Sequence, residues 1–201
     1  MRKVFAKYRN LPEAVKASLW FTICSILQKG ISFITVPIFT RMLSTEEYGI
    51  ISLFGAWQSI LTIFATLNLS NQIFNNGMVK YEKDQDGYTT AMLGLSNFAT
   101  VLVFVLYLVF HTALDKIFEL PMSAIIMMFI GFFFSAATSL WTVHQRYKFK
   151  YKLLCLVTLI ISLGSALLGV LFVRLESVGL ARIWGDTITI TTVGLLIYVL
   201  I

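Results

Sequence analysis

The chain has 201 residues, of which 58% are hydrophobic and 13% charged, with a formal net charge of +6. A mean hydropathy of +0.82 excludes an ordinary soluble domain, because a chain this short could not hide so much apolar surface. The basic residues cluster in short segments between apolar stretches, which is the pattern of membrane loops and not of a nucleic-acid groove, so no nucleic-acid partner is expected.

Several apolar stretches reach the length of about 18 residues or more that crosses a bilayer. The expected fold is all-α: a polytopic membrane protein whose residues 18–201 form one six-helix transmembrane bundle. Residues 1–17 form a basic lead carrying Arg2, Lys3, Lys7, Arg9 and Lys16. Val4, Phe5, Tyr8, Leu11 and Val15 give it an amphipathic cast that suits anionic headgroups, although a plain topogenic charge cluster is the simpler account. The first apolar stretch is too long for a signal peptide and no small-x-small cleavage site follows it, so it reads as an uncleaved span.

Span one covers residues 18–39 and is expected to organise the bundle. Ser18, Thr22, Ser25, Lys29 and Ser32 recur at steps of four, three, four and three, so they share one helical face. A lysine at the bilayer centre costs about 3 kcal/mol, so such residues usually face a cavity or a partner. Three accounts of Lys29 stand: a cation lining a cavity for a phosphate or pyrophosphate, an ion pair inside the bundle, or snorkelling. The last is weak, because about eleven residues separate Lys29 from either end. Pro37 and Arg41 mark the far end of this span. Arg41 reads as an interfacial arginine or a headgroup contact.

Span two covers 49–69, and Ser44-Thr45-Glu46-Glu47 before it has the form of a capping box. Its far end is rich in amides: Asn68, Asn71, Gln72, Asn75 and Asn76. These suit sugar hydroxyls at a cavity mouth, or an ordinary turn. A polar loop from Tyr81 to Gly87 leads to span three, 89–110. Span four, 122–143, is entered through Pro121. Span five covers 153–173, and span six runs from 178 to 201. In span six Arg182 and Asp186 lie four apart on one face. They form either a self-neutralising pair or a headgroup contact beside a residue that couples transport to a proton or cation. Thr187, Thr189, Thr191 and Thr192 make this span rich in hydroxyls, for bonding to neighbouring helices or lining a wet path.

Lysine and arginine counts place the N-terminus inside. Arg2, Lys3, Lys7, Arg9, Lys16, Lys80, Lys83, Arg146, Lys148, Lys150 and Lys152 then lie on the inner side, and Arg41, Lys116 and Arg174 on the outer. Six spans return the C-terminus to the cytoplasm. The chain is apolar to its last residue, which predicts a truncated half of a longer protein. Cys24 and Cys155 fall inside spans and read as apolar fillers rather than a disulfide. His111 and His144 are too far apart to suggest a metal, and no metal or cofactor is expected. Trp20, Trp57, Trp141 and Trp184 are read mostly as interface or lipid-facing anchors. No catalytic constellation appears, so an enzyme is not expected.

The run Pro37-Ile38-Phe39-Thr40-Arg41-Met42-Leu43-Ser44-Thr45-Glu46-Glu47-Tyr48-Gly49 resembles the signature between the first two spans of bacterial polysaccharide (O-antigen and capsule repeat-unit) flippases. Leu27-Gln28-Lys29-Gly30 and Gly179-Leu180-Ala181-Arg182-Ile183-Trp184-Gly185 are similar too. These proteins belong to the multidrug, oligosaccharidyl-lipid and polysaccharide exporter superfamily, usually built of two six-helix lobes around a cavity. The resemblance implies an N-terminal lobe in the bacterial inner membrane. It also implies translocation of an undecaprenyl-pyrophosphate-linked oligosaccharide, with Lys29 and Arg182 on the phosphates; the readings of the residues themselves add Arg41, Asn71 and Gln72 as candidate substrate contacts and Asp186 as a candidate ion-coupling residue. Implied partners are membrane lipids, a second lobe or copy, a polysaccharide polymerase and glycosyltransferases. The alternatives are an ion-coupled exporter of drugs or another lipid precursor, and a non-transporting scaffold or inactive remnant in a glycan assembly cluster.

Overall fold

A computed structural model describes residues 12–199. The amphipathic lead therefore falls mostly outside the described residues, as do the last two residues of span six. Among the described residues seven α-helices follow one another: α1 (Glu13–Met42), α2 (Thr45–Ala65), α3 (Gln72–Lys80), α4 (Gln85–Phe118), α5 (Met122–Tyr147), α6 (Tyr151–Leu175) and α7 (Gly179–Tyr198), with a 3-10 turn at Glu82–Asp84. There is no strand among the described residues. All but the short α3 are long and apolar enough to cross a membrane, which makes the chain a multi-pass membrane protein with six such helices among the described residues.

The local signals act largely as expected, with three differences. The Ser44 hydroxyl accepts from the Glu47 N–H at 3.2 Å and starts α2. Glu47 does not reach back, however. Its carboxylate accepts from the Gly179 N–H and so caps α7, a helix that begins 132 positions later. The polar loop before span three is shorter than expected. Asp84 accepts from the Gly87 N–H at 3.0 Å, and α4 starts at Gln85 and runs for 34 residues. That is about 50 Å of helix, well beyond a hydrocarbon core of about 30 Å. Span two ends earlier than residue 69. Leu67 and Asn68 take positive φ values of 51° and 49°, which breaks the helix and lets α3 set off separately.

The helix expected to organise the bundle lies at its edge. Only 6% of the most apolar stretch of α1 is buried, against 56% for α5 and 44% for α7. α7 packs on α6, α5 and α2, whereas α1 packs almost wholly on α6. Small residues explain the central place of α7. A Cβ at Gly185 would come within 2.6 Å of the Gly169 nitrogen, and one at Gly194 within 2.7 Å of the Phe134 Cβ. Such close backbone approach replaces the missing hydrophobic drive between helices in lipid.

Two of the three buried apolar clusters among the described residues lie between these helices. Phe54, Phe118, Ile125, Phe129, Phe132 and Ile183 join α2, α4, α5 and α7 towards one end. Phe74, Met78, Leu93, Leu140, Trp141 and Ile197 join α3, α4, α5 and α7 towards the other. The tryptophans divide between surface and core: Trp20 and Trp184 are exposed, but Trp141 is only 3% exposed, and Trp57 packs edge-on against Phe118. Trp141 is thus a core residue and not an anchor, because α5 is buried on more than one face.

Candidate functional site

α1 meets α6 through a narrow seam. Ala17, Cys24 and Phe39 are buried, and Phe21, Gln28, Ile31, Thr35 and Met42 are half-buried. These positions recur at steps of three and four, so they form one face. Cys24 and Cys155 are both buried free thiols in this seam. The Cys24 thiol lies 3.1 Å from the Thr158 hydroxyl, and Gln28 donates to the Thr158 carbonyl at 3.2 Å.

Each polar residue of the predicted stripe follows a seam residue by one, which turns it about 100° away from α6. Ser18, Thr22, Ser25, Lys29 and Ser32 are all exposed. Thr22 and Ser32 donate to the Ser18 and Gln28 carbonyls one turn earlier, at 2.9 and 3.3 Å. Lys29 has no ion-pair partner among the described residues. The bundle therefore leaves the ammonium on an outward-facing polar strip, and of the three accounts of Lys29 the internal ion pair finds no partner among the described residues.

Arg182 lies in a different setting. Its guanidinium donates to the Asp186 carboxylate and to the Ser165 carbonyl at 3.4 Å. It also sits 4.7 Å from the centre of the Phe39 ring. The Ser165 hydroxyl donates to the same Asp186 oxygen. Gly169 makes room for the arginine, since a Cβ there would come within 2.7 Å of the Arg182 Cδ. The Arg182 side chain is 17% exposed and that of Asp186 36%, so the pair closes a corner where α1, α6 and α7 meet. Along α1, Phe39 is ten residues past Lys29, or about 15 Å.

The other candidates are spread out. Arg41 is exposed in the last turn of α1, where it complements the carbonyl end of the helix. Asn71 is exposed and donates to the Asn68 side chain at 2.7 Å, within the break between α2 and α3. Gln72 begins α3, and its side chain lies outside the described residues. The structure thus joins Arg182 with Asp186 and leaves Lys29, Arg41 and Asn71 at separate places.

Two polar cavities escaped the sequence reading. One, of about 90 Å³, is lined by Thr62, Thr66, Asn68, Ser96, Ser135 and Ser139 where the α2 break meets α4 and α5. The spacing of Ser135 and Ser139 on one face of α5 was the available signal. The other, of about 250 Å³, lies between the start of α4 and the end of α5 and is lined by Asp86, His144, Lys148 and Lys150 among others. No cluster of metal-ligating side chains occurs among the described residues.

A family model described as polysaccharide biosynthesis protein matches residues 14–201. No curated protein and no solved structure matches the chain.

Proposed function

Since the chain belongs to the polysaccharide biosynthesis protein family, we propose that it takes part in moving a lipid-linked oligosaccharide across the bacterial inner membrane. The cargo of this reading is an undecaprenyl-pyrophosphate-linked repeat unit, passed from the cytoplasmic to the periplasmic leaflet by alternating access. The protein then acts as a transporter and not as an enzyme.

The observation that carries the reading is the exposed strip on α1. A glycan is dense in hydroxyls and a pyrophosphate is anionic, so neither crosses hydrocarbon readily. Hydrocarbon is an equally poor neighbour for Lys29. A strip of four hydroxyls and one ammonium, turned outward from a membrane bundle, supports a wet wall that meets the head of such a substrate. Lys29 would hold a phosphate while the polyprenyl tail remains in lipid. α1 supplies one wall only, so a facing lobe or a second copy completes the passage. Arg182 is a weaker phosphate ligand on this reading, because Asp186 already occupies it. Its release from Asp186 would free a second cation and leave a carboxylate to take up a proton or cation.

Complementation of a flippase-null strain tests the proposal. Lys29→Ala should lower glycan export roughly tenfold or more, the loss expected for one charge-assisted contact, and Lys29→Arg should restore much of it. Unchanged export by Lys29→Ala at equal protein level would remove Lys29 from the substrate path. Co-purification with glycosyltransferases, without flipping in vesicles, would favour the scaffold instead.

A further inference from the structure

The cavity of about 250 Å³ at the start of α4 and the end of α5 is unused by the transport reading. Two side chains of the last turns of α5 border it with unsatisfied polar atoms. His144 is 8% exposed, and its Nε2 is buried without a hydrogen-bond partner among the described residues, as is the Oε1 of Gln145. Buried polar atoms are normally paired, so the unpaired His144 nitrogen points to a missing polar occupant, whereas the Gln145 oxygen, an acceptor, does not call for an anion. Lys148 and Lys150 stand at the rim, on the turn that leads into α6, and Thr89 and Trp141 form the floor.

Asp86 shows what the site attracts. Its Oδ1 lies 3.6 Å from the Lys148 Nζ and 3.8 Å from the His144 Nε2. The second distance is too long for a hydrogen bond. The Asp86 side chain is 79% exposed, so it stands over the histidine as a loosely held oxyanion. An incoming oxyanion that displaced it would meet the Lys148 ammonium and the His144 Nε2, a donor in its Nε2–H tautomer, with Lys150 beside them. A phosphate group offers enough acceptor oxygens for all three donors.

We propose that this cavity binds a phosphate group, carried by an anionic lipid headgroup or free in solution. The site is separate from the α1 strip. It joins α4, α5 and the α5–α6 turn, so its occupancy would clamp those elements together.

The test uses the purified full chain in phosphatidylcholine nanodiscs at fixed ionic strength, with unfolding temperature as the readout. One arm adds phosphatidylglycerol to the disc, and the other adds inorganic phosphate to the buffer. A saturable rise in one arm identifies the source and supports the site. Lys148→Ala with Lys150→Ala, both at exposed positions, should raise the half-saturating concentration about tenfold. Asp86→Asn should lower it, by removing the competing carboxylate. Lys80→Ala with Lys83→Ala removes the same charge from the same end of the bundle and should leave it within about twofold. No rise in either arm would overturn the proposal. An equal loss in both lysine pairs would also overturn it, because that is the behaviour of a diffuse surface charge.

Discussion

Lys29 and Arg182 are both cations on membrane-spanning helices, but their neighbours set different expectations for them. Lys29 touches no carboxylate among the described residues, so its replacement should change function with little effect on folding. Arg182 is packed on Phe39 and bonded to Asp186 and Ser165, so its replacement should cost stability too. Asp186→Ala would leave a half-buried guanidinium without its counter-charge, while the double variant Arg182→Ala/Asp186→Ala would relieve that. A double-mutant cycle on unfolding in detergent should give a favourable coupling of about 1 kcal/mol, modest because Asp186 still meets its surroundings. Glu47 acts at longer range in the chain. Glu47→Ala removes the acceptor for the Gly179 N–H and a negative charge from the start of α7. It should destabilise the protein by about 1 kcal/mol, measured as a lower unfolding temperature, with α2 still capped by Ser44.

The helices were legible as elements because span length and apolar run need no tertiary information. Their arrangement was not. In water an amphipathic stripe tells which face is buried, but in lipid an outer face is as apolar as an inner one. The polar stripe made α1 look central, whereas the centre belongs to α5 and to the glycine-bearing α7. Gly179, Gly185 and Gly194 were the readable signal, since each lies where another backbone or side chain comes within van der Waals distance. Gly185→Ala should therefore push α6 from α7 and cost about 1–3 kcal/mol, the range for overpacking. Gly30→Ala, where nothing lies within 4 Å, should be near neutral on the same unfolding assay. The break after Ala65 was hidden for a related reason. Leu67 and Asn68 adopt left-handed backbone without a glycine, so no punctuation marked the turn that leads into α3.

At the scale of the molecule, lysine and arginine are shared unevenly between the two ends of the bundle. The start of α1 meets the start of α6 through the stacked rings of Trp20 and Tyr151, and Arg146 lies over Phe21 there. Lys80, Lys83, Lys148, Lys150 and Lys152 gather at the same end. At the other end Phe39, Leu43, Val173 and Ala181 pack together, with Arg41 and Arg174 near them. The positive-inside rule predicts that the first end is cytoplasmic. A cysteine placed at Lys83 should resist an impermeant maleimide in intact cells, and one at Lys116 should react. The reverse pattern would invert the orientation. Of the candidate site, the Lys29 stripe and the Arg182–Asp186 spacing were readable because helical periodicity alone places them. The two cavities were not, since each is assembled from helices far apart in the sequence.

The seam between α1 and α6 also has a practical use. Both native thiols are shielded inside it, so the unaltered chain carries a built-in gauge of whether α1 stays seated. In resting membranes a permeant alkylating reagent should modify Cys24 far more slowly than in the denatured chain. If cargo passage swings α1 outward, each cycle would briefly unmask that sulfur. Alkylation would then speed up with glycan flux, and the rate would time the motion without any label being added.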